Sequence, residues 1–543
     1  MRSWPFPFQP RFICYTAVLL ITALLFVDEV EWFPSVIAAI ALVPFAALAV
    51  LGTVDIFQTK HAVLRNYPLT AHIRFILEEI RPEIRQYFLE SEKDGTPFSR
   101  DKRAIVYQRA KRALDKRPFG TQNDVYASGY EWLQHSIAPK LPAKEPFRTL
   151  VGGPDCAKPY SASILNISAM SFGALSSRAV RALNIGARNG GFAHDTGEGG
   201  YSPYHRENGG DIIWEIGSGY FSCRNDDGTF CAEKFEENAK NDQVKMVELK
   251  LSQGAKPGHG GVLPGAKVSP EIALTRGVPV AVDCISPSRH SAFSTPIELM
   301  QFIATMRKLS GGKPAGFKLC IGHPWEFLAI CKAMLETGIY PDFIVVDGKE
   351  GGTGAAPLEF TDHLGMPLRE GLNFVHNALI GINARDRIKI GASGKIISAF
   401  DIARVMALGA DWCNSARGFM FALGCIQSLS CHTDRCPTGV STQDKTRQRA
   451  LVVPDKAERV HNFHRATLES LAELVAAAGL DHPTQFAPAH FSRRVSPHEV
   501  KTFAELYPPL EPGELIKGSG DKRYELAWAM ASAKEFRALP RAA

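Results

Sequence analysis

Eight short apolar runs, each followed by a glycine-rich or polar loop and then usually by a helical segment, predict an α/β chain built on a (β/α)8 TIM barrel. Two uncharged stretches near the N-terminus place a transmembrane helical hairpin in front of it. Three cysteines within one short late segment mark where chemistry is concentrated. The expected division is 1–60 for the hairpin, 61–150 for a helical cytoplasmic arm, 151–480 for the barrel with its cysteine segment, and 481–543 for a C-terminal tail.

The chain has 543 residues, 45% hydrophobic and 22% charged, which leaves room for one large enzyme domain with additions. A formal charge of +6 is small for this length and argues against nucleic acid as the main partner. Eleven cysteines are spread unevenly and form no small disulfide scaffold. That usage favours a reducing compartment and cofactor ligation.

Phe12 to Val27 carries no charge, and after Asp28, Glu29 and Glu31 the stretch Phe33 to Val54 is again uncharged. The second run is long enough to span a bilayer, and the first can be extended by its flanks. The acidic turn between them makes a hairpin. Arg2 and Arg11 precede it and Lys60 and Arg65 follow it. Positive-inside bias then puts both termini in the cytoplasm, with the catalytic part on the cytoplasmic side of the cell's inner membrane. A cleavable signal peptide is the alternative, but no small-residue cleavage site precedes the second run. From Asn66 to about Arg117, Ile73, Leu77, Ile80, Ile84 and Phe88 recur at helical spacing, with Pro82 placed to kink the helix. Their apolar face is expected to pack against the main domain. Pro118 to Pro146 reads as a docking arm.

The eight runs are Ile164–Ile167, Phe192–His194, Met246–Leu251, Val280–Asp283, Gly316–Ile321, Phe343–Val346, Arg387–Ile390 and Asp411–Ser415. In a barrel of this kind the chemistry sits at the C-terminal ends of the strands, where the glycine-rich loops fall. The interval from Gly200 to Met246, with Cys223 and Cys231, reads as an insertion whose cysteines are structural. After the barrel, Arg459 to Ala478 reads as its closing helix. An Ala-rich helix follows near Tyr524–Ala533.

Glycines at strand ends serve either turns at positive φ or close approach of backbone N–H groups to phosphate. The seventh and eighth loops, Gly391-Ala-Ser-Gly394-Lys395 and Ser415-Ala-Arg417-Gly418, sit where barrels often bind a phosphate. Glu198, Lys256, Arg276, Lys318 and Lys395 lie at or near the expected mouth. One charge between glycines is commonly a solvated turn. Several cations at one mouth would repel one another unless anions were bound, and a flavin phosphate with a dicarboxylate substrate would supply them.

Cys425, Cys431 and Cys436 are spaced C-x5-C-x4-C, and a proline follows the last, as in ferredoxin-type runs. Soft thiolates suit iron or zinc. Zinc normally takes four ligands, and His432 is adjacent to Cys431 and hard to aim at the same ion. A trinuclear iron–sulfur cluster needs three cysteines. Three buried structural cysteines remain the plain alternative.

Taken together, Ala169-Met-Ser-Phe-Gly-Ala-Leu-Ser176, Thr196-Gly-Glu-Gly-Gly200, Gln253-Gly-Ala-Lys-Pro-Gly258, Leu263-Pro-Gly-Ala-Lys-Val268, Ile285-Ser-Pro287, Gly351-Gly-Thr-Gly-Ala355 and the cysteine segment resemble the FMN-binding synthase domain of glutamate synthase. The resemblance runs from about Ser161 to Gln443. It implies bound FMN and a [3Fe–4S] cluster on Cys425, Cys431 and Cys436, with electrons passing through the cluster to the flavin. It also implies condensation of ammonia with 2-oxoglutarate, and reduction of the imine by reduced FMN to L-glutamate. By residue, Gln253, Lys256 and Arg276 match positions that hold 2-oxoglutarate, and Glu198 matches an active-site acid that acts with Lys256. Ser171, Lys318 and the seventh-loop glycines Gly391 and Gly394 match the flavin environment, and Gly352, Gly354, Lys395, Ser415 and Arg417 are expected to bind the cofactor with them.

Departures from the family pattern shape the rest of the expectation. The chain has no amidotransferase domain with an initiating cysteine, so it would use free ammonia or borrow a glutaminase subunit. His259 replaces an acidic residue, and Ser288-Arg-His-Ser-Ala292 replaces a proline- and histidine-rich run, both at the mouth. No GxGxxG after a strand is evident, so the electron donor is expected to be external: a ferredoxin, a reductase or a membrane donor. Two other functions stay open, a related synthase using an amine such as methylamine and a non-catalytic membrane redox relay.

Overall fold

The computed structural model describes residues 8–32, 35–518 and 520–540, so Arg2 and Phe33 of the hairpin argument lie outside the described residues. The chain forms two compact units, divided at Arg100. In the first unit, α1 (Ile13–Val27) and α2 (Val36–Phe57) run as a hairpin. The helical stretch Pro10–Val30 that contains α1, and α2 itself, are each long and apolar enough to cross a membrane. Ser35 caps α2 by accepting the Ala38 N–H at 3.1 Å. The helices approach closely at Gly52, where a Cβ would lie 2.3 Å from the Tyr15 ring. Beside it, the Tyr15 and Thr53 hydroxyls are 2.7 Å apart.

Two further helices follow, α3 (Ala62–Asn66) and α4 (Thr70–Ile84). Pro82 lies inside α4, and the helix widens into a π turn at Arg85–Leu89. Proline lacks the N–H that would bond the Glu78 carbonyl one turn earlier. Ile73, Ile76, Leu77 and Ile80 on this helix are exposed.

The second unit is a closed parallel barrel: β1 (Leu165–Ile167), β2 (His194–Asp195), β3 (Ile212–Ile216), β4 (Val244–Lys250), β5 (Ala315–Leu319), β6 (Phe343–Asp347), β7 (Lys389–Ser393) and β8 (Trp412–Ser415), which returns to pair with β1. Its N-terminal end is plugged by the hairpin Arg148–Val151/Tyr160–Ser163. Val151, Tyr160 and Ala162 of that hairpin share one core with Ile213, Met246, Phe343, Val345 and Trp412. The helix Val453–Ala477, close to the expected span, lies on Ser177–Gly190. Gly186 permits that contact, because a Cβ there would be 2.4 Å from Val460.

Seven of the eight expected strands lie within a few residues of the observed ones, and the remaining one is a correction. Val280–Asp283 is not a barrel strand; Ile212–Ile216, inside the presumed insertion, is. All five residues of β3 are buried, Glu215 included, whereas Val280 and Val282 are about half exposed. The interior charge at Glu215 disguised β3, and Val280–Asp283 is apolar without being covered.

The docking arm and the tail meet in a three-stranded sheet formed by Glu131–Leu133, Phe491–Ser496 and Glu499–Thr502. There Glu131, almost fully buried, pairs with Arg404 at 2.9 Å, Arg493 at 3.8 Å and Arg369. The Ala-rich helix spans Lys522–Met530.

The strand correction is testable. Ile213→Ala removes a core methylene set and is expected to cost about 2–5 kcal/mol. Val280→Ala at an exposed site is expected to stay within about 0.5 kcal/mol. Thermal unfolding of the two variants checks the difference.

Candidate active site

The C-terminal ends of the strands open onto a cleft, and chain order decides which side chains reach it. The segments after β1, β2, β4, β6 and β8 all contribute to its wall. Ser171, Glu198, Gln253, Lys256, Arg276, Gly352, Gly354, Arg417 and Cys431 share this one cleft. Close backbone approach shapes it. A Cβ at Gly197, where φ is +66°, would lie 2.6 Å from the Ser171 nitrogen. The Gly199 N–H donates to Ser171 Oγ at 3.1 Å.

Glu198 pairs with Lys250 at 2.9 Å. Burial alone would raise its carboxyl, but the charge of Lys250, with Lys256 and Arg276 beyond it, prevails and holds it down at about 2. Gly261 makes room, since a Cβ there would fall 2.5 Å from Glu198 Oε1. The sequence pattern did not single out Lys250, although alternation along β4 puts Met246, Glu248 and Lys250 on one face. Burial lowers the proton affinity of Lys256, with Glu198 opposing it. Arg276 ends the helix Pro270–Arg276, which Ser269 caps and Gly277 terminates at φ +64°. Its Nη2 donates to the Phe172 carbonyl at 3.0 Å, and its guanidinium lies 5.1 Å from the Phe221 ring centroid.

Lys318 points into the barrel interior, because alternation along β5 turns it inward. It ion-pairs with Glu215, and Glu248 Oε1 is 3.5 Å away. Asp195 completes the set: one oxygen from each of the three acids lies within 4.8 Å of the others. None of these acids stood out in the sequence. Burial weakens the ammonium of Lys318, but Glu215, Glu248 and Asp195 override this and hold its proton firmly. Burial, with the Glu215 charge, pushes Asp195 up to about 7 against the pull of Lys318. Burial and the Asp195 charge also push Glu248 well above the carboxylate range.

The expected phosphate residues divide into two groups. Arg417 lines the cleft beside Gly352, and its Nη2 donates to the Thr353 carbonyl at 2.7 Å. Gly391, by contrast, is a residue of β7, where a Cβ would be 2.6 Å from the Trp412 ring. Gly394 faces Leu368, with a Cβ approach of 3.2 Å. Ser415 Oγ donates to the Ile396 carbonyl at 2.6 Å and joins the seventh and eighth loops. Lys395 adopts φ +50°. None of these four lines the cleft.

Cys425, Cys431 and Cys436 are free thiols. Cys425 follows Gly424, which ends the helix Arg417–Leu423 at φ +104°, and Tyr107 donates to its carbonyl at 2.6 Å. Cys431 is on the cleft wall. Burial, with smaller contributions from the neighbouring charges of Cys431 and Cys436, pushes the Cys425 thiol up to about 11. Cys436 moves the other way: burial opposes its ionisation, but the Thr438 hydroxyl and the Thr438, Val440 and Ser441 amides lower it. Lys267, also unforeseen, is buried, donates to the Cys431 carbonyl at 3.0 Å and responds to the charges of Cys431 and Cys436.

Two outcomes follow from these charges. Lys250→Met strands a buried carboxylate and is expected to cost about 3–5 kcal/mol. Adding Glu198→Gln should recover much of that loss in a double-mutant cycle of thermal unfolding. Asp195 binds its proton more tightly folded than unfolded. Its stabilising contribution is therefore complete below the unfolded value near 4 and lost as pH rises through about 7. Asp195→Asn is expected to flatten that fall, measured as melting temperatures at about pH 5 and about pH 8.

The family model described as the conserved region in glutamate synthase matches residues 155–481. The chain is 38% identical over 494 residues to the glutamate synthase large subunit-like protein YerD of Bacillus subtilis, covering 84% of this chain and 94% of that one. It is 34% identical over 315 residues to the archaeal-type glutamate synthase (NADPH) of Thermotoga neapolitana, covering 58% of this chain and 59% of that protein. Among solved structures it is similar to a flavocytochrome b2 variant with pyruvate bound, at 13% identity and a TM-score of 0.39, with 82% of this chain and 90% of that one covered. The family match spans the whole barrel and its cysteine segment, and the chain belongs to the glutamate synthase family as a glutamate synthase-like oxidoreductase.

Proposed function

We propose that this chain aminates 2-oxoglutarate reductively to L-glutamate, with FMN in the cleft and a [3Fe–4S] cluster on Cys425, Cys431 and Cys436. The observation that carries this reading is the convergence of Glu198, Gln253, Lys256 and Arg276 on one cleft whose wall includes Cys431. The residues fit both groups. Gly354 has open space where a Cβ would be, and Arg417 stands beside Gly352, giving room and charge for a phosphate. Three neighbouring thiols, one of them drawn toward its thiolate, suit iron–sulfur ligation. When bound, reduced FMN would supply a hydride and the cluster would supply the electrons that restore it.

The chain's own residues would do the rest. Lys256 and Arg276 would hold the two carboxylates of the substrate, with Gln253 adding a hydrogen bond and fixing the keto carbon in place. Glu198 stays ionised at neutral pH, so it would favour a cationic nitrogen beside it rather than donate a proton. Lys256, its proton loosened by burial, is the better donor.

Nitrogen would come as free ammonia or from a glutaminase subunit. A recess beside Glu198, lined by Ser218, Gly258, His259 and Ser288 among others, favours a second reading with an amine such as methylamine as donor. Electrons would arrive from a ferredoxin, a reductase or a membrane donor. The two long apolar helices support anchoring in the cell's inner membrane, with the barrel in the cytoplasm.

Anaerobic mixing of the dithionite-reduced protein with 2-oxoglutarate and either ammonium or methylamine tests the reading. Flavin reoxidation with formation of glutamate, or of its N-methyl form, is the expected result. Lys256→Ala and Arg276→Ala should each lower kcat/KM for 2-oxoglutarate by about 100-fold, equivalent to about 2.7 kcal/mol. If both variants retain physiological function while Cys431→Ala abolishes it, the chain is a redox relay instead.

A further inference from the structure

The hairpin unit leaves one helix face uncovered. Ile73, Ile76, Leu77, Ile80, Tyr87 and Phe88 are 42–82% exposed. At helical spacing they fall on one stripe of about 120° along α4 and the π turn after it. Arg74, Arg81 and Arg85 follow one border of the stripe, and Glu79 and Glu83 follow the other. Arginine at such a border can lay its stem on an apolar phase and keep its head in water.

Hydrogen bonds fix the depth of this helix. Asp55, two residues before the end of α2, accepts the Leu69 N–H at 2.9 Å and lies 2.9 Å from His72 Nε2. Arg11, before α1, donates to Asn66 Oδ1 at 2.9 Å. The start of α1, the end of α2 and the first turn of α4 therefore lie at one level. The 22 residues of α2 rise about 33 Å, against a hydrocarbon core of about 30 Å. That match sets the shared level at the boundary between lipid and water.

We propose that α4 lies in the cytoplasmic interface of the bilayer, with its apolar stripe turned toward the acyl chains and its arginines among the headgroups. The partner is the lipid surface itself, reached by continuity from the hairpin. The inference rests on the reading of α1 and α2 as membrane-spanning.

The full-length protein, reconstituted in phosphatidylcholine–phosphatidylglycerol vesicles carrying a phospholipid with an acyl-chain diazirine, tests this. After photolysis, adducts are mapped by peptide mass spectrometry. Adducts are expected on α2 and on Ile73–Phe88. The double variant Ile76→Asp/Ile80→Asp should lose at least fivefold of the α4 adducts and keep those on α2. Labelled α2 with unlabelled α4 overturns the placement of α4 and leaves the hairpin reading intact. Absence of adducts on α2 overturns both. Cross-links between α4 helices of two copies, in place of lipid adducts, assign the stripe to a second copy and also overturn the proposal.

Discussion

Four buried ionisable groups in the middle of the barrel, Lys318 with Asp195, Glu215 and Glu248, constrain everything above them. A barrel interior is ordinarily filled by branched apolar side chains, and the layer below obeys that rule with Ile213, Met246, Phe343 and Val345. The ionic layer is costly to desolvate, and the acids repel one another unless the lysine is present and protons are shared. It also holds the loops that build the cleft. Asp195 accepts the Gly197 N–H at 2.9 Å, next to Glu198. Asp347, whose carboxyl is raised by burial with Lys318 opposing, accepts the Gly254 N–H at 2.7 Å, next to Gln253. One electrostatic set therefore positions two loops of the mouth.

The barrel was legible because strand and loop chemistry alternate so regularly along the sequence. It failed at β3, where Glu215 interrupts the apolar pattern that a buried strand normally shows. Val280–Asp283 misled in the opposite direction, because hydrophobicity reports a tendency to be covered and not the covering itself. At the site, loop residues such as Glu198, Gln253 and Lys256 could be read from their glycine-rich surroundings. Lys250 and Lys267 could not, since their meaning depends on partners far away in sequence: Glu198 for one, the cysteine segment for the other. Gly391 shows the converse, a glycine whose bareness serves the Trp412 ring beside it.

The cysteine segment joins the cleft through several contacts. Ser441 Oγ donates to the Ala174 carbonyl at 2.8 Å, and Gln443 Nε2 donates to the carbonyls of Gly173 and Leu175 at 3.0 Å. These bonds fix the segment to the loop after β1, the same loop that carries Ser171. A buried lysine beside Cys431 and Cys436 adds positive charge where sulfur would carry negative charge, and such a charge would tune any metal held there.

Glu131 gives the second unit an unexpected kind of closure. A single carboxylate, carried by the arm that precedes the barrel, is shared among arginines from the helices Leu368–Gly381 and Ala399–Ala407 and from the strand Phe491–Ser496. The arm and the tail are thus welded across the barrel's outer wall. Removing the tail would take Arg493 away from Glu131 and leave the strand Glu131–Leu133 with no partner, so the last fifty or so residues act as a clasp rather than an appendage.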